Sequence, residues 1–254
     1  MLPLKDENPH PPGFKPKLTI ALIITNVIVF FLEVAYTGQI LDFTNGRAAQ
    51  LFYEWGAVPN CIIGGRVIDL GAQQLSCPAF SSLTLLSSTF LHGGIVHLGG
   101  NLLFLWIFGD NIELKFGRVK YLIIYLSWGI GAGLIHVLGD PTSSIPAVGA
   151  SGAISGILGA YLVIFPRAKV LTFMMLGFFW RTIHIPAKFF LPFWLVFQNL
   201  LPFFISGFGV SGGGVAFLAH IGGFALGIAV GYLYKKTHRT DYSYGTRYGW
   251  RGDD

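Results

Sequence analysis

The chain has 254 residues, 53% of them hydrophobic and only 11% charged, with a mean hydropathy of +0.61. A soluble domain carries about 25% charged residues, so this composition excludes an ordinary soluble globular protein and points to a membrane. The net charge of +5 says little about nucleic acid, because the basic residues are not clustered on one polar domain, and no nucleic-acid partner is expected.

A helix needs roughly 17–25 mostly apolar residues to cross a bilayer. Residues 1–17 are expected to form a cytoplasmic N-terminal segment, and Leu18–Tyr36 is the first expected span. It is too long, and too poor in small-residue cleavage signals, for a removable leader, and it reads as an anchor. An outer loop follows, over about residues 37–89. Within it, Arg47–Trp55 is an expected amphipathic helix ended by Gly56 and Pro59, with Leu51, Phe52 and Trp55 suited to the membrane interface. The next expected spans are about Ile95–Leu114, Val119–Leu138, Ser151–Phe165, about Phe189–Ser206 and about Val215–Tyr234. The fourth is short, and is expected to be less tilted or shielded by its neighbours. Pro166–Lys188, rich in Phe and Met, is expected at the inner interface. Residues 236–254 form a polar tail to which no structure is assigned. The expected fold class is an all-α membrane protein, a six-transmembrane-helix bundle over residues 18–235.

Charge supports this layout independently. With the N-terminus inside, 15 of the 17 basic residues fall on inner segments, from Lys5, Lys15 and Lys17 to Lys235, Lys236, Arg239, Arg247 and Arg251; only Arg47 and Arg66 lie outside. That is the asymmetry of a multi-pass protein with both termini cytoplasmic. Cys61 and Cys77, the only cysteines, share the outer loop. They can pair if that side is oxidising, or remain two thiols.

Three polar clusters interrupt the apolar sequence, and the topology brings all three to the outer side. His92, His97 and Asn101 lie at the mouth of the second span, Gly149-Ala150-Ser151-Gly152 opens the fourth, and Ala219-His220-Ile221-Gly222-Gly223 enters the sixth. Polar groups inside a membrane are costly and mark function. Ser151 is the expected nucleophile. A serine hydroxyl needs an adjacent base, and the N–H groups of a helix start can support an oxyanion. Ser155, one turn deeper, is the rival nucleophile. His220 is the expected base.

Small residues at four-residue spacing, Ala219, Gly223, Gly227 and Gly231 against Gly152, Gly156 and Ala160, let these two spans approach closely. His97 and Asn101 share a helix face and can donate to an oxyanion, while His92 orders the loop before the span. A zinc site of the H-E-x-x-H kind is not expected, since no carboxylate lies nearby, and neither metal nor cofactor is required. His136 and His184 are expected to cap or snorkel. Asp110 and Glu113 are expected to anchor the inner end of the second span near Lys115 and Arg118. With no acid near the histidine, a Ser–His dyad is the economical reading.

Taken together, these motifs resemble those of the rhomboid intramembrane serine proteases, in order and in topology, over about residues 15–235. The resemblance implies a six-helix bundle of rhomboid type, Ser151 as nucleophile and His220 as base. It also implies oxyanion contacts from Asn101, His97 and the Ser151 backbone, and a water-filled cavity open to the outer side. It further implies a lipid-embedded enzyme whose partners are transmembrane protein substrates, cut near their outer ends at small, helix-destabilising residues. The fifth span, with Phe189, Phe190, Phe193 and Trp194, is similar to the element associated with lateral substrate entry.

Two departures stand out. The Trp-Arg pair common in the first outer loop is missing, and Ser155 stands where an aromatic residue often stacks on the histidine. The alternative function is a non-catalytic rhomboid-like protein that binds transmembrane helices. The expected location is a bacterial cytoplasmic membrane, and the sequence assigns no oligomeric state.

Overall fold

The computed structural model describes residues 1–41, 43, 46–69, 74–176, 179–205 and 216–238. The chain is mostly helical. Among the described residues, four helices are long and apolar enough to cross a membrane by length and composition: α1 (Lys17–Thr37), α3 (Ile95–Phe116), α4 (Arg118–Gly139) and α7 (Phe217–Thr237). Between α1 and α3 lies the helix α2 (Gly46–Trp55). A single glycine joins α3 to α4: Gly117 takes φ +73°, and its N–H closes α3 on the Glu113 carbonyl.

The fourth expected span forms α5, Ser151–Ile164, only 14 residues long. At 1.5 Å per residue it covers about 21 Å, less than the thickness of a bilayer core. All of its residues from Gly152 to Tyr161 are buried. A helix that is apolar all round belongs in a core, and α3, α4 and α7 enclose this one. The fifth expected span becomes a broken helix, α6: Ala187–Leu195, a wider π turn at Val196–Leu200, then Leu201–Ile205. Pro192 and Pro202 both lie in this run and lack the N–H that a regular helix would use. In the π turn, Leu201 N–H reaches back to the Val196 carbonyl. The expected ends at Ser206 and Val215, and the tail beyond His238, lie outside the described residues.

The expectation of an all-α protein is corrected by two small sheets. In the first, β1 (Leu2–Asp6) pairs antiparallel with β4 (Lys169–Leu176), which pairs with β5 (Phe179–Pro186). The N-terminal segment is therefore partly ordered, with Leu2 opposite Phe173 and Asp6 opposite Val170. The sequence carries a reason for the β4–β5 hairpin. Val170, Thr172, Thr182, Ile183 and Ile185 are β-branched, and such residues pack well on a pleated surface. Asp6 ties the sheet to the helices by accepting hydrogen bonds from Tyr161 Oη at 2.7 Å and Asn111 Nδ2 at 2.9 Å. The second sheet, β2 (Val67–Asp69) with β3 (Gln74–Ser76), lies in the connection between α2 and α3. There Cys61 and Cys77 are joined by a disulfide, with Cα atoms 5.5 Å apart.

Candidate active site

Ser151 is the first residue of α5, so its hydroxyl lies beside backbone N–H groups that have no partner inside the helix. His220 stands in the first turn of α7, which starts at Phe217. The two meet: His220 Nε2 is 2.6 Å from Ser151 Oγ. The far side of the ring meets a residue that sequence reasoning did not single out. Asn199 Oδ1, from the π turn of α6, lies 2.5 Å from His220 Nδ1. An amide oxygen only accepts, so Nδ1 carries the proton and Nε2 is free to accept from Ser151 O–H. The available signal was a pair of amides, Gln198-Asn199, inside an apolar segment.

The close approach of α5 and α7 is a glycine effect. A Cβ on Gly223 would run into the Gly152 carbonyl, one on Gly227 into the Gly156 carbonyl, and one on Gly231 would come within 3.1 Å of the Ala160 backbone. The missing side chains of Gly152 and Gly156 serve a different neighbour, since their Cβ atoms would strike Ala132 and Trp128 on α4. Gly159, outside the expected stripe, makes room for the Phe224 carbonyl. Small residues therefore join three helices, which lets side chains on separate spans reach hydrogen-bonding distance.

His97 and Ser151 both border Gly149, and Asn101 lies one turn beyond His97 on α3. His97 Nδ1 accepts from Gly93 N–H at 3.3 Å, which leaves Nε2 as the donor. That nitrogen faces Gly149, where a Cβ would sit 2.8 Å from it and φ is +127°, so a side chain there is excluded twice. Asn101 is buried at 7% exposure, and its Nδ2 has no hydrogen-bond partner among the described residues. A buried donor without a partner is uncommon, and this one lies on the helix that carries His97. Ser155 is fully buried, and its hydroxyl has no partner among the described residues.

His92 is fully buried. Burial, reinforced by nearby His97 and opposed by the Phe90 carbonyl, pushes its pKa down to about 3, so the ring is neutral at physiological pH. Its backbone N–H donates to both oxygens of Glu33 on α1, at 3.1 and 3.2 Å, a second contact that the sequence did not suggest. Reciprocal bonds between Ala57 and Ala147 tie the α2–α3 connection to the segment before Ser151, and Gly149 N–H bonds the Ser88 carbonyl at 2.8 Å. A cleft beside Ser151 is lined by small residues such as Ala57, Ala132 and Ala219, together with Ser88, Thr89 and Val148.

Four side chains expected to be structural fall as follows. His136, in the last turn of α4, does not snorkel: it is buried at 3% exposure, because its face of α4 turns inward. His184 is exposed on β5, with Nε2 3.0 Å from Glu7 Oε1. Glu113 holds α1 by accepting from the Leu18 and Thr19 N–H groups, with Arg118 3.6 Å away. Asp110 faces His10 at 3.4 Å. No cluster of three metal-ligating side chains occurs among the described residues.

The fold and the site together define a class: a multi-pass helical membrane protein with a serine–histidine contact held between helices. Residues 80–237 match the family model described as the rhomboid domain, and the chain belongs to the rhomboid family. It is 28% identical over 160 residues to the mitochondrial Rhomboid protein 1 of Saccharomyces cerevisiae, covering 61% of this chain and 43% of that protein. It is 34% identical over 150 residues to the rhomboid protease GluP of Bacillus subtilis, covering 59% and 25%. It is 31% identical over 157 residues to the mitochondrial RHOMBOID-like protein 6 of Arabidopsis thaliana, covering 57% and 50%. The chain thus spans half or less of the length of these relatives.

Proposed function

We propose that this protein is an intramembrane serine endopeptidase, with Ser151 as nucleophile and His220 as general base. The observation that carries this reading is the 2.6 Å contact between Ser151 Oγ and His220 Nε2. As Ser151 Oγ attacks a peptide carbonyl, His220 Nε2 takes the hydroxyl proton. Negative charge then develops on the carbonyl oxygen, and the donors assigned to it are the Ser151 N–H, His97 Nε2–H and Asn101 Nδ2, which has no partner among the described residues. His220 returns the proton to the leaving amine, and water, activated by the same nitrogen, hydrolyses the acyl-enzyme. The steps require no metal or cofactor.

The broader setting extends this reading. The chain crosses the membrane six times, with α5 and α6 as the short fourth and the broken fifth spans, both termini cytoplasmic and the site open to the outer side. Its partners are transmembrane substrates. The membrane is not assigned: relatives include mitochondrial proteins as well as a bacterial one, so a bacterial cytoplasmic membrane gains no support from them.

Labelling of the membrane-embedded protein by a fluorophosphonate tests the mechanism. Wild type and Ser155→Ala label, whereas Ser151→Ala and His220→Ala do not. A folded wild type that stays unlabelled beside an active control protease would sink the proposal and favour a non-catalytic, helix-binding role.

A further inference from the structure

We infer that Asn199 is a positioning residue for His220: its amide oxygen holds the imidazole in the tautomer and rotation that let Nε2 take the Ser151 proton. The inference rests on the reading of Ser151 and His220 as nucleophile and base. Three observations carry it. The contact is short and correctly polarised, with Oδ1 2.5 Å from Nδ1, opposite the nitrogen that bonds Ser151. Asn199 is 1% exposed, and its Nδ2 has no partner among the described residues, so the His220 bond is the one that accounts for an amide in this position.

The backbone is also shaped to deliver it. Gln198 and Asn199 are adjacent amides, yet Gln198 is exposed and Asn199 buried. The wider π turn, with Leu201 N–H bonded to the Val196 carbonyl, sets which of the two faces the site. Such bulges recur at functional sites. A neutral amide orients the ring without placing a charge in the membrane interior. The arrangement is a Ser–His–Asn relay of contacts drawn from three separate helices: α5, α7 and α6.

The test uses the full chain purified in detergent and a fluorophosphonate probe, measuring the maximal labelling rate and the half-saturating probe concentration separately. Asn199→Ala is expected to lower the maximal rate about tenfold to a hundredfold, as a small misplacement of a reacting group does, with half-saturation unchanged. Asn199→Asp is expected to recover most of the rate, because a carboxylate oxygen accepts the same Nδ1–H. Gln198→Ala is expected to react like wild type. Asn199→Ala reacting at the wild-type rate overturns the inference, and so does Asn199→Asp as slow as Asn199→Ala. Should Asn199→Ala fail to fold, Asn199→Ser takes its place under the same two criteria. A folded wild type that never labels fails instead on the Ser151–His220 reading, and removes this inference with it.

Discussion

Ser151 Oγ and His220 Nε2 lie 2.6 Å apart although 69 positions separate them along the chain. The contact forms where α5 and α7 touch backbone to backbone, since Gly223 presses on the Gly152 carbonyl one residue beyond the serine. Hydrogen-bond reach between two short side chains demands such an approach, and only residues without bulk permit it. The serine–histidine contact and the helix packing are thus one feature.

That coupling predicts the effect of Gly223→Val. The added side chain meets the Gly152 carbonyl and the Ser155 Cβ, the latter within 3.2 Å of a Cβ alone. Backbone cannot yield as a flexible side chain does, and overpacking of this kind costs about 1–3 kcal/mol or more. The variant is expected to melt earlier in detergent and to lose fluorophosphonate labelling. Labelling at the wild-type rate would show that the close approach is dispensable.

Asn101→Ala is expected to slow cleavage without abolishing it. Its Nδ2 has no partner among the described residues, so the substitution deletes a donor that makes no hydrogen bond there. Loss of one oxyanion donor typically costs about 10²–10³ in rate. Single-turnover acylation measures this, and an unchanged rate would remove Asn101 from the oxyanion site.

The disulfide makes a prediction about stability. Cys61 and Cys77 close a loop with a sequence separation of 16, and cross-linking a loop of roughly 15 residues stabilises by about 3 kcal/mol in the chain-entropy treatment. Reduction, or Cys61→Ser with Cys77→Ser, is expected to lower the unfolding midpoint and to loosen the α2–α3 connection near β2 and β3. Equal midpoints with and without reductant would contradict this.

His92 makes a prediction about pH. Its pKa falls from 6.5 to about 3 on folding, chiefly through burial. The unfolded chain therefore binds a proton, between those values, that the folded protein refuses. The stability linked to His92 is complete above about pH 6.5 and is lost as pH falls toward 3. Thermal unfolding of wild type and His92→Gln at pH 7.5 and pH 4.5 reads the difference: the wild-type midpoint is expected to drop further on acidification. Parallel drops in both proteins would remove His92 as the source.

The sequence alone determined the membrane class, the apolar segments and the residues of the three polar clusters. These follow from run length, charge asymmetry and local spacing, which are properties of neighbours in the chain. The glycine stripe was legible for the same reason, because four-residue spacing repeats along one helix. Tertiary structure decided the rest. Asn199 reaches His220 only because α6 widens into a π turn, and Glu33 reaches the His92 backbone from another helix. The β1–β4–β5 sheet needed pairing between residues near positions 5 and 170, for which a polar N-terminal segment offers no periodic signal. Gly159 matters because of what lies against it, the Phe224 carbonyl. Which polar group serves as partner to another depends on distances across the packed helices, and those distances come from the shapes of side chains far apart in the chain.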